Sequence, residues 1–246
     1  MDEAYEAFAA HASPPPFPLD VCLACCVDAE TERQLREWPL HRLTARHLYE
    51  YNDSARSGEQ SAREAGHFAP RMLDLLARGD RIHHSLEIAL RRLGGCPAGG
   101  WSDAQRAALA RFAGAYFDCA IRADEADEPW LGEPFEVLLM FDIAGVPIAP
   151  LLAQWRDCEA PWSSVRYVRE GYWHFWSECE VSNAFSSDRP AFRRQVGEWM
   201  LDPSSRRHFA ARLATPGFRA LAESLPQSGP VPFADMVDAV LHMLGS

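Results

Sequence analysis

The chain contains no lysine: all 24 of its basic residues are arginine, set against 35 acidic ones, for a net charge of −11 over 246 residues. The missing lysine reads as the codon bias of a GC-rich genome, and it also removes any Gly-x-x-x-x-Gly-Lys phosphate loop. Basic residues are lacking altogether between Arg122 and Arg156, where Asp124, Glu125, Asp127, Glu128, Glu133, Glu136 and Asp142 accumulate. Such a surface repels phosphate backbones, which argues against direct nucleic-acid binding. It would attract a basic protein partner at a salt-dependent rate. The plain alternative is a solvated loop that keeps the chain in solution.

Other absences narrow the field further. There is no Gly-x-Ser-x-Gly elbow, no Gly-x-Gly-x-x-Gly and no His-Glu-x-x-His, so several enzyme classes are disfavoured. An active site assembled from distant residues would leave no such trace. The start, Met1-Asp2-Glu3-Ala4-Tyr5, lacks the basic and apolar regions of a secretory signal. The most apolar stretch, Phe135 to Trp155, is broken by Asp142, Gly145, Pro147 and Pro150. These features predict a soluble, cytoplasmic protein that makes no use of a membrane. A composition that is 48% hydrophobic and 24% charged suits a buried core rather than disorder.

Strand signals are nearly missing, whereas helix signals recur along the whole chain. A short helix over Asp2 to His11 precedes a Pro-rich spacer, Ser13 to Pro18. Asp28 caps a helix running to Trp38, and Thr44 caps one carrying Leu48 and Tyr51 on one face. Helices are further predicted over Ser61 to Ala77 and Asp80 to Leu93, the latter closed by Gly94-Gly95. Ser102 caps an amphipathic helix to Arg122 with Leu109, Phe112, Tyr116 and Phe117 at helical spacing. Pro134 opens a helix, Phe135 to Ile143, that is apolar almost all round and belongs in a core. Segments over Pro147 to Asp157, Ser163 to Cys179, Arg189 to Leu201, Pro203 to Leu213 and Phe233 to Leu244 follow, with a small helix among the last three. The expectation is an all-α fold of packed helical hairpins in an irregular bundle, with an α-solenoid as the alternative. Residues 1–21 form an N-terminal helix and spacer, and 22–246 one helical domain with a sub-boundary near 123–133.

Three of the seven cysteines fall in Cys22-Leu-Ala-Cys25-Cys26. Cys22 and Cys25 have the gap at which two thiolates share a tetrahedral zinc, but no second Cys-x-x-Cys or His-x-x-x-His pair completes a four-ligand site. Cys26 and a histidine, His41, His47 or His67, would have to supply the rest. His67 is taken as the metal-site candidate. A redox pair is the second reading, although the βαβ context of a thioredoxin-like site is missing. The third is that the thiols simply pack the N-terminal segment, as free, buried cysteines of a reducing compartment.

His83-His84, with Glu87 one helical turn from His83, forms either a metal or acid–base constellation or a solvated helix face with one satisfied imidazole. The stretch from Trp162 to Trp176 holds Tyr167, Tyr172, Trp173 and Phe175 as well. His174 lies there, four residues before Glu178 and five before Cys179. Core packing and a partner site anchored by aromatics are its two readings.

The run Cys22 to Glu30, with Leu35, Trp38 to Thr44 and Leu48 to Tyr51, resembles the opening of an uncharacterised bacterial family. Its members begin with closely spaced cysteines, an acidic helix, a Pro-Leu-Arg-x-Leu-Thr-like turn and a helix containing tyrosine. His67-Phe68-Ala69-Pro70-Arg71 is similar to a segment that follows there. The resemblance covers the first third well, implies a mostly helical fold and transfers no catalytic residue. Cys26 stands where the relatives carry other residues, so the ligand count does not transfer either. The compact, acidic profile also resembles immunity proteins that neutralise secreted antibacterial toxins.

Together these observations predict a non-enzymatic, acidic, helical protein that binds a basic partner such as a toxin nuclease. Asp124, Glu125, Asp127 and Glu128 would meet the partner's cleft, and Trp162, Tyr172, Trp173 and Trp176 would anchor the contact. The cofactor expectation is none, or one structural zinc ion. The rivals are a metal-dependent enzyme built on the cysteine segment with a histidine, and a structural scaffold.

Overall fold

A computed structural model describes residues 1–11, 18–56, 58–124, 129–176, 178–227 and 229–245. Most of the Pro-rich spacer lies outside them. Among the described residues the chain is all-α, with thirteen α-helices and no strand. None of these helices is long and apolar enough to cross a membrane.

Two compact units divide the chain: residues Met1–Tyr116 with Met140–Pro147, and Phe117–Leu139 with Ile148–Ser246. In the first, α1 (Asp2–Ala7), α2 (Ala29–Glu37), α3 (Ala45–Asp53), α4 (Ala62–Ala77) and the short α5 (Arg91–Gly94) precede α6 (Asp103–Arg122), which is divided between the units. Asp28, Thr44 and Ser102 cap as expected from sequence, and Ser61 caps as well. The amide of Thr31 donates to Asp28 Oδ1 at 2.7 Å, that of Glu64 to Ser61 Oγ at 3.3 Å and that of Gln105 to Ser102 Oγ at 3.2 Å. Thr44 and His47 form a reciprocal capping box. Close approach fixes Gly94, where an added Cβ would lie 1.7 Å from the Ile143 carbonyl oxygen.

The predicted helix over Asp80 to Leu93 does not form. After α4 the chain bends through residues 82–85, makes one 3₁₀ turn at Leu86–Ile88 and becomes α-helical only at Arg91. A tertiary interaction outcompetes the local ladder: buried Asn52 of α3 donates to the carbonyls of Ile82 at 2.9 Å and Ala89 at 3.2 Å.

In the second unit, α7 (Pro134–Ile143) is followed by α8 (Ala149–Asp157), α9 (Pro161–His174), α10 (Pro190–Leu201), α11 (Pro203–Leu213), α12 (Pro216–Ser224) and α13 (Phe233–Gly245). Only Pro134–Leu139 of α7 belongs to this unit. Proline stands in the first turn of each helix from α8 to α12, where its missing N–H costs nothing. Fully buried Trp155 is the hub of the core. It stacks on Trp199 at 5.2 Å and meets Phe117, Phe135, Tyr167 and Phe209 edge-on, while its Nε1 donates to the Ser163 carbonyl at 3.0 Å. The helix expected to reach Cys179 stops at His174. Phe175 leaves helical geometry and is fully buried, and the Trp176 amide folds back to the Gly171 carbonyl at 2.9 Å.

Buried within this unit, the Glu170 carboxyl accepts the Phe135 amide at 3.2 Å, while its Oε2 has no hydrogen-bond partner among the described residues. Burial first, then the charge of Glu133, holds this carboxyl well above its ordinary value of 4.5. The carboxyl is therefore neutral in the fold, while in the unfolded chain it ionises above pH 4.5. A raised folded-state pKa means that its contribution is full below that pH and is lost as pH rises. Glu170→Gln should accordingly leave the thermal midpoint near that of the native chain at pH 4.5 and raise it increasingly towards pH 8. A difference that does not change with pH in thermal unfolding scans would remove this assignment.

Candidate metal centre

Cys22, Cys25 and Cys26 lie on one non-helical turn between two buried anchors, Leu19 and Val27. The amides of Cys26 and Val27 both donate to the Cys22 carbonyl, at 3.2 and 3.1 Å, which closes the turn. Its three sulfurs lie within 4.8 Å of one another, with Cys22 to Cys25 at 3.5 Å and Cys25 to Cys26 at 3.4 Å. The backbone amide of Ala24, then the Cys25 thiol, lower the Cys22 pKa, whereas contact with Cys26 first and Cys22 next pushes Cys25 up to about 11. One sulfur thus takes the negative charge readily and its neighbour resists it, as expected of thiols crowded together without a cation.

The turn is fastened from below. The Cys22 amide donates to Ser54 Oγ at 2.7 Å, and the Asp20 amide to Glu64 Oε2 at 3.1 Å. Arg92, fully buried, donates to the carbonyls of Asp20 at 3.2 Å, Ser54 at 3.4 Å and Tyr51, and to Gln60 Oε1 at 3.1 Å. Its guanidinium lies 3.9 Å from the Tyr51 ring centroid and 3.8 Å from Glu64, which also accepts from the Tyr51 hydroxyl at 2.9 Å. The exposed turn is therefore the outer end of a buried ion-pair network that no linear motif announces.

The group closes without a histidine. His67 is buried on α4, with Nδ1 3.0 Å from the His11 carbonyl and its ring edge-on to Phe68. Both ring nitrogens of His47 are engaged, by Thr44 and by Gln34, and His41 is exposed. The expectation of buried thiols holds for Cys158 alone: the other six are half-buried or exposed, and all seven are free. Cys119 is on the outer face of α6 and the others lie in turns or irregular segments, which composition could not show.

A second group gathers Asp53, at the end of α3, with His83 and His84 in the bend after α4. His84 Nδ1 is 3.1 Å and His83 Nε2 3.7 Å from Asp53 Oδ1. Burial, then His84 and Arg91, push His83 down to about 4, so its imidazole is neutral at pH 7. Glu87, the sequence-predicted companion, instead accepts from the Ser85 hydroxyl at 2.8 Å, because residues 82–85 form a bend and no α-helical turn joins His83 to Glu87. Asp53 lies 31 positions from His84, and no local pattern points to it.

Of the residues assigned to a partner surface, Trp173 is 46% exposed, with Tyr172 half-buried and edge-on against it at 4.8 Å. Trp176 is half-buried, its Nε1 enclosed. Trp162 is half-buried in the wall of a cleft of about 1010 Å³ that also involves His208, Arg212, Phe218 and Leu221, a feature the sequence did not suggest. Asp124 is half-buried, and Glu125, Asp127 and Glu128 lie outside the described residues. Compared with family models, curated proteins and solved structures, the chain matches none.

The fastening of the cysteine turn makes a direct prediction. Arg92→Ala leaves Glu64 buried without its cation, which should cost about 3–5 kcal/mol in denaturant unfolding. At temperatures where the variant is still folded, iodoacetamide labelling of Cys25 should proceed at a changed rate, because the turn loses its carbonyl anchors. An unchanged rate would mean that the turn holds its shape alone.

Proposed function

We propose that the chain is a non-enzymatic binding protein whose Cys22–Cys25–Cys26 turn takes one soft metal ion through three thiolates, zinc being the foremost candidate. The observation that carries the reading is the convergence of three sulfurs on one anchored turn. Tetrahedral zinc at about 2.3 Å from sulfur sets sulfurs about 3.8 Å apart. Opening the turn from its present 3.4 and 3.5 Å spacings is thus a small adjustment that a cation would favour by relieving the crowding. Thiolate selects zinc, Cu(I) and related ions over magnesium or calcium. Three protein ligands leave a fourth position to water or to a group brought from outside. Leu23, 55% exposed in the same turn, gives an incoming partner an apolar contact beside the ion.

Elemental analysis should find at least about one zinc per purified chain. Cys22→Ser, Cys25→Ser and Cys26→Ser should each weaken Zn²⁺ binding in competition with a chromogenic chelator by about tenfold or more. Full retention of affinity in all three variants would overturn the proposal.

The second reading is occlusion of a basic protein partner, such as a secreted toxin nuclease, by an immunity protein. What favours it is exposed Trp173 in a chain of net charge −11, since tryptophan is a typical anchor of protein interfaces. Trp173→Ala should weaken binding to a basic partner purified from the source cell by about tenfold or more. Charge reversal at Asp124, Glu125, Asp127 and Glu128 should mainly slow association and flatten its salt dependence. Surface-plasmon-resonance constants equal to the native chain's for both variants would dispose of this reading.

A further inference from the structure

We propose that Asp53, His83 and His84 form a second and chemically different metal site, which takes a divalent first-row ion such as Cu²⁺, Ni²⁺ or Zn²⁺ through one carboxylate and two imidazoles. Their ligand atoms lie within 4.8 Å of one another. The decisive detail is His83: its side chain is fully enclosed, and its Nε2 has no hydrogen-bond partner among the described residues. That nitrogen is 3.7 Å from Asp53 Oδ1, a separation too long for a hydrogen bond. An enclosed ring nitrogen without a partner is a costly feature unless something else satisfies it. A metal with about 2.0–2.2 Å bonds to nitrogen and oxygen bridges donors that stand about 3–3.5 Å apart, close to the present spacing.

The surroundings fit this use. Asn52, one residue before Asp53, holds the bend that carries both histidines through the carbonyls of Ile82 and Ala89, so the donors are presented from fixed backbone. His84 and Asp53 are about half exposed, at 52% and 49%, which leaves the outer side of the site to water. Three protein donors with an open side are the arrangement of ligand-exchanging centres rather than of closed structural ones. The donor set is borderline in softness, so it favours copper, nickel and zinc, whereas the thiol turn selects soft ions. One contact opposes binding. Ser85 donates its amide to His83 Nδ1 at 3.4 Å, and ligation through Nε2 moves the ring proton to Nδ1 and gives up this long hydrogen bond.

The test uses the full chain with Cys22, Cys25 and Cys26 replaced by serine, so that thiols do not compete. Titration with Cu²⁺ followed by electron paramagnetic resonance should show one bound ion per chain, with hyperfine coupling to two nitrogens. His84→Ala in this background should remove one nitrogen coupling and weaken binding about tenfold or more, and Asp53→Asn should weaken it without changing the nitrogen count. Both positions are exposed, so circular dichroism should show an intact fold. Should the thiol-free chain fail to fold, Co²⁺ titration of the native chain separates the sites, because only the thiol turn gives an intense sulfur charge-transfer band. The imidazole site then appears as a second equivalent that His84→Ala abolishes. Absence of that equivalent, or affinity unchanged in both variants, overturns the proposal.

Discussion

The guanidinium of Arg92 is the constraint around which the first unit is arranged. A fully buried cation is tolerable only when its donors are met and a counter-charge is near. Here both terminal Nη groups are met, by backbone as much as by side chains, while Nε has no hydrogen-bond partner among the described residues. Carbonyls of Asp20, Tyr51 and Ser54 converge on it, with Gln60, Glu64 and the face of the Tyr51 ring. Such a network adds little net stability compared with an apolar core, because desolvation consumes most of the Coulombic gain. Its effect lies in geometry. Three chain segments must reach the same point in one register, and one of them carries the cysteine turn.

The second unit solves the same packing problem by other means. Its core is a set of aromatic rings around Trp155, which need only shape and edge-to-face approach. Helices from α8 to α12 are short, and each has a proline in its first turn, where no donor is wasted. The same unit nevertheless encloses the Glu170 carboxyl, which stays neutral first because burial disfavours its charge and then because Glu133 is of its own sign. Buried Glu170 is thus accommodated by discharge, whereas buried Arg166 of the same unit is paired with Glu133 at 3.1 Å.

Much of this is legible in the order of the residues alone. Asp28, Thr44, Ser61 and Ser102 mark helix starts because capping is local chemistry, decided within three residues. The apolar run of α7 marks a core helix for an equally local reason. Legibility fails wherever a distant group decides the matter. Asn52 turns what reads as a helix over Asp80 to Leu93 into a bend, and in doing so replaces Glu87 by Asp53 beside His83. Arg92 and Glu64 look like any surface pair until the fold encloses both. The cysteine segment stands out at once, yet its anchoring by Ser54 and its closure without His67 are tertiary facts. Acidic residues after Arg122 are conspicuous too, but a run of carboxylates specifies charge and not position.

The C-terminal end of α3 shows how closely these features are joined. Tyr51 supplies a carbonyl to Arg92 and a hydroxyl to Glu64, and Asn52 pins the bend that carries His83 and His84. Asp53 faces those histidines, and Ser54 gives its hydroxyl oxygen to Cys22 and its carbonyl to Arg92. Four successive residues therefore serve the buried ion pair, the histidine bend and the cysteine turn, one after another. Side chains projecting from a helix end in different directions can do this only if the end itself does not fray, and frayed termini are the normal state of short helices. Arg92 prevents it by drawing the Tyr51 and Ser54 carbonyls inward, so the last turn of α3 is held by tertiary bonds where its own ladder runs out. The two candidate metal centres are on this account not independent ornaments of the surface. Both hang from a single helix terminus, which Arg92 holds together with the Asn52 side chain and with Arg91, a donor to the Asn52 carbonyl at 2.8 Å.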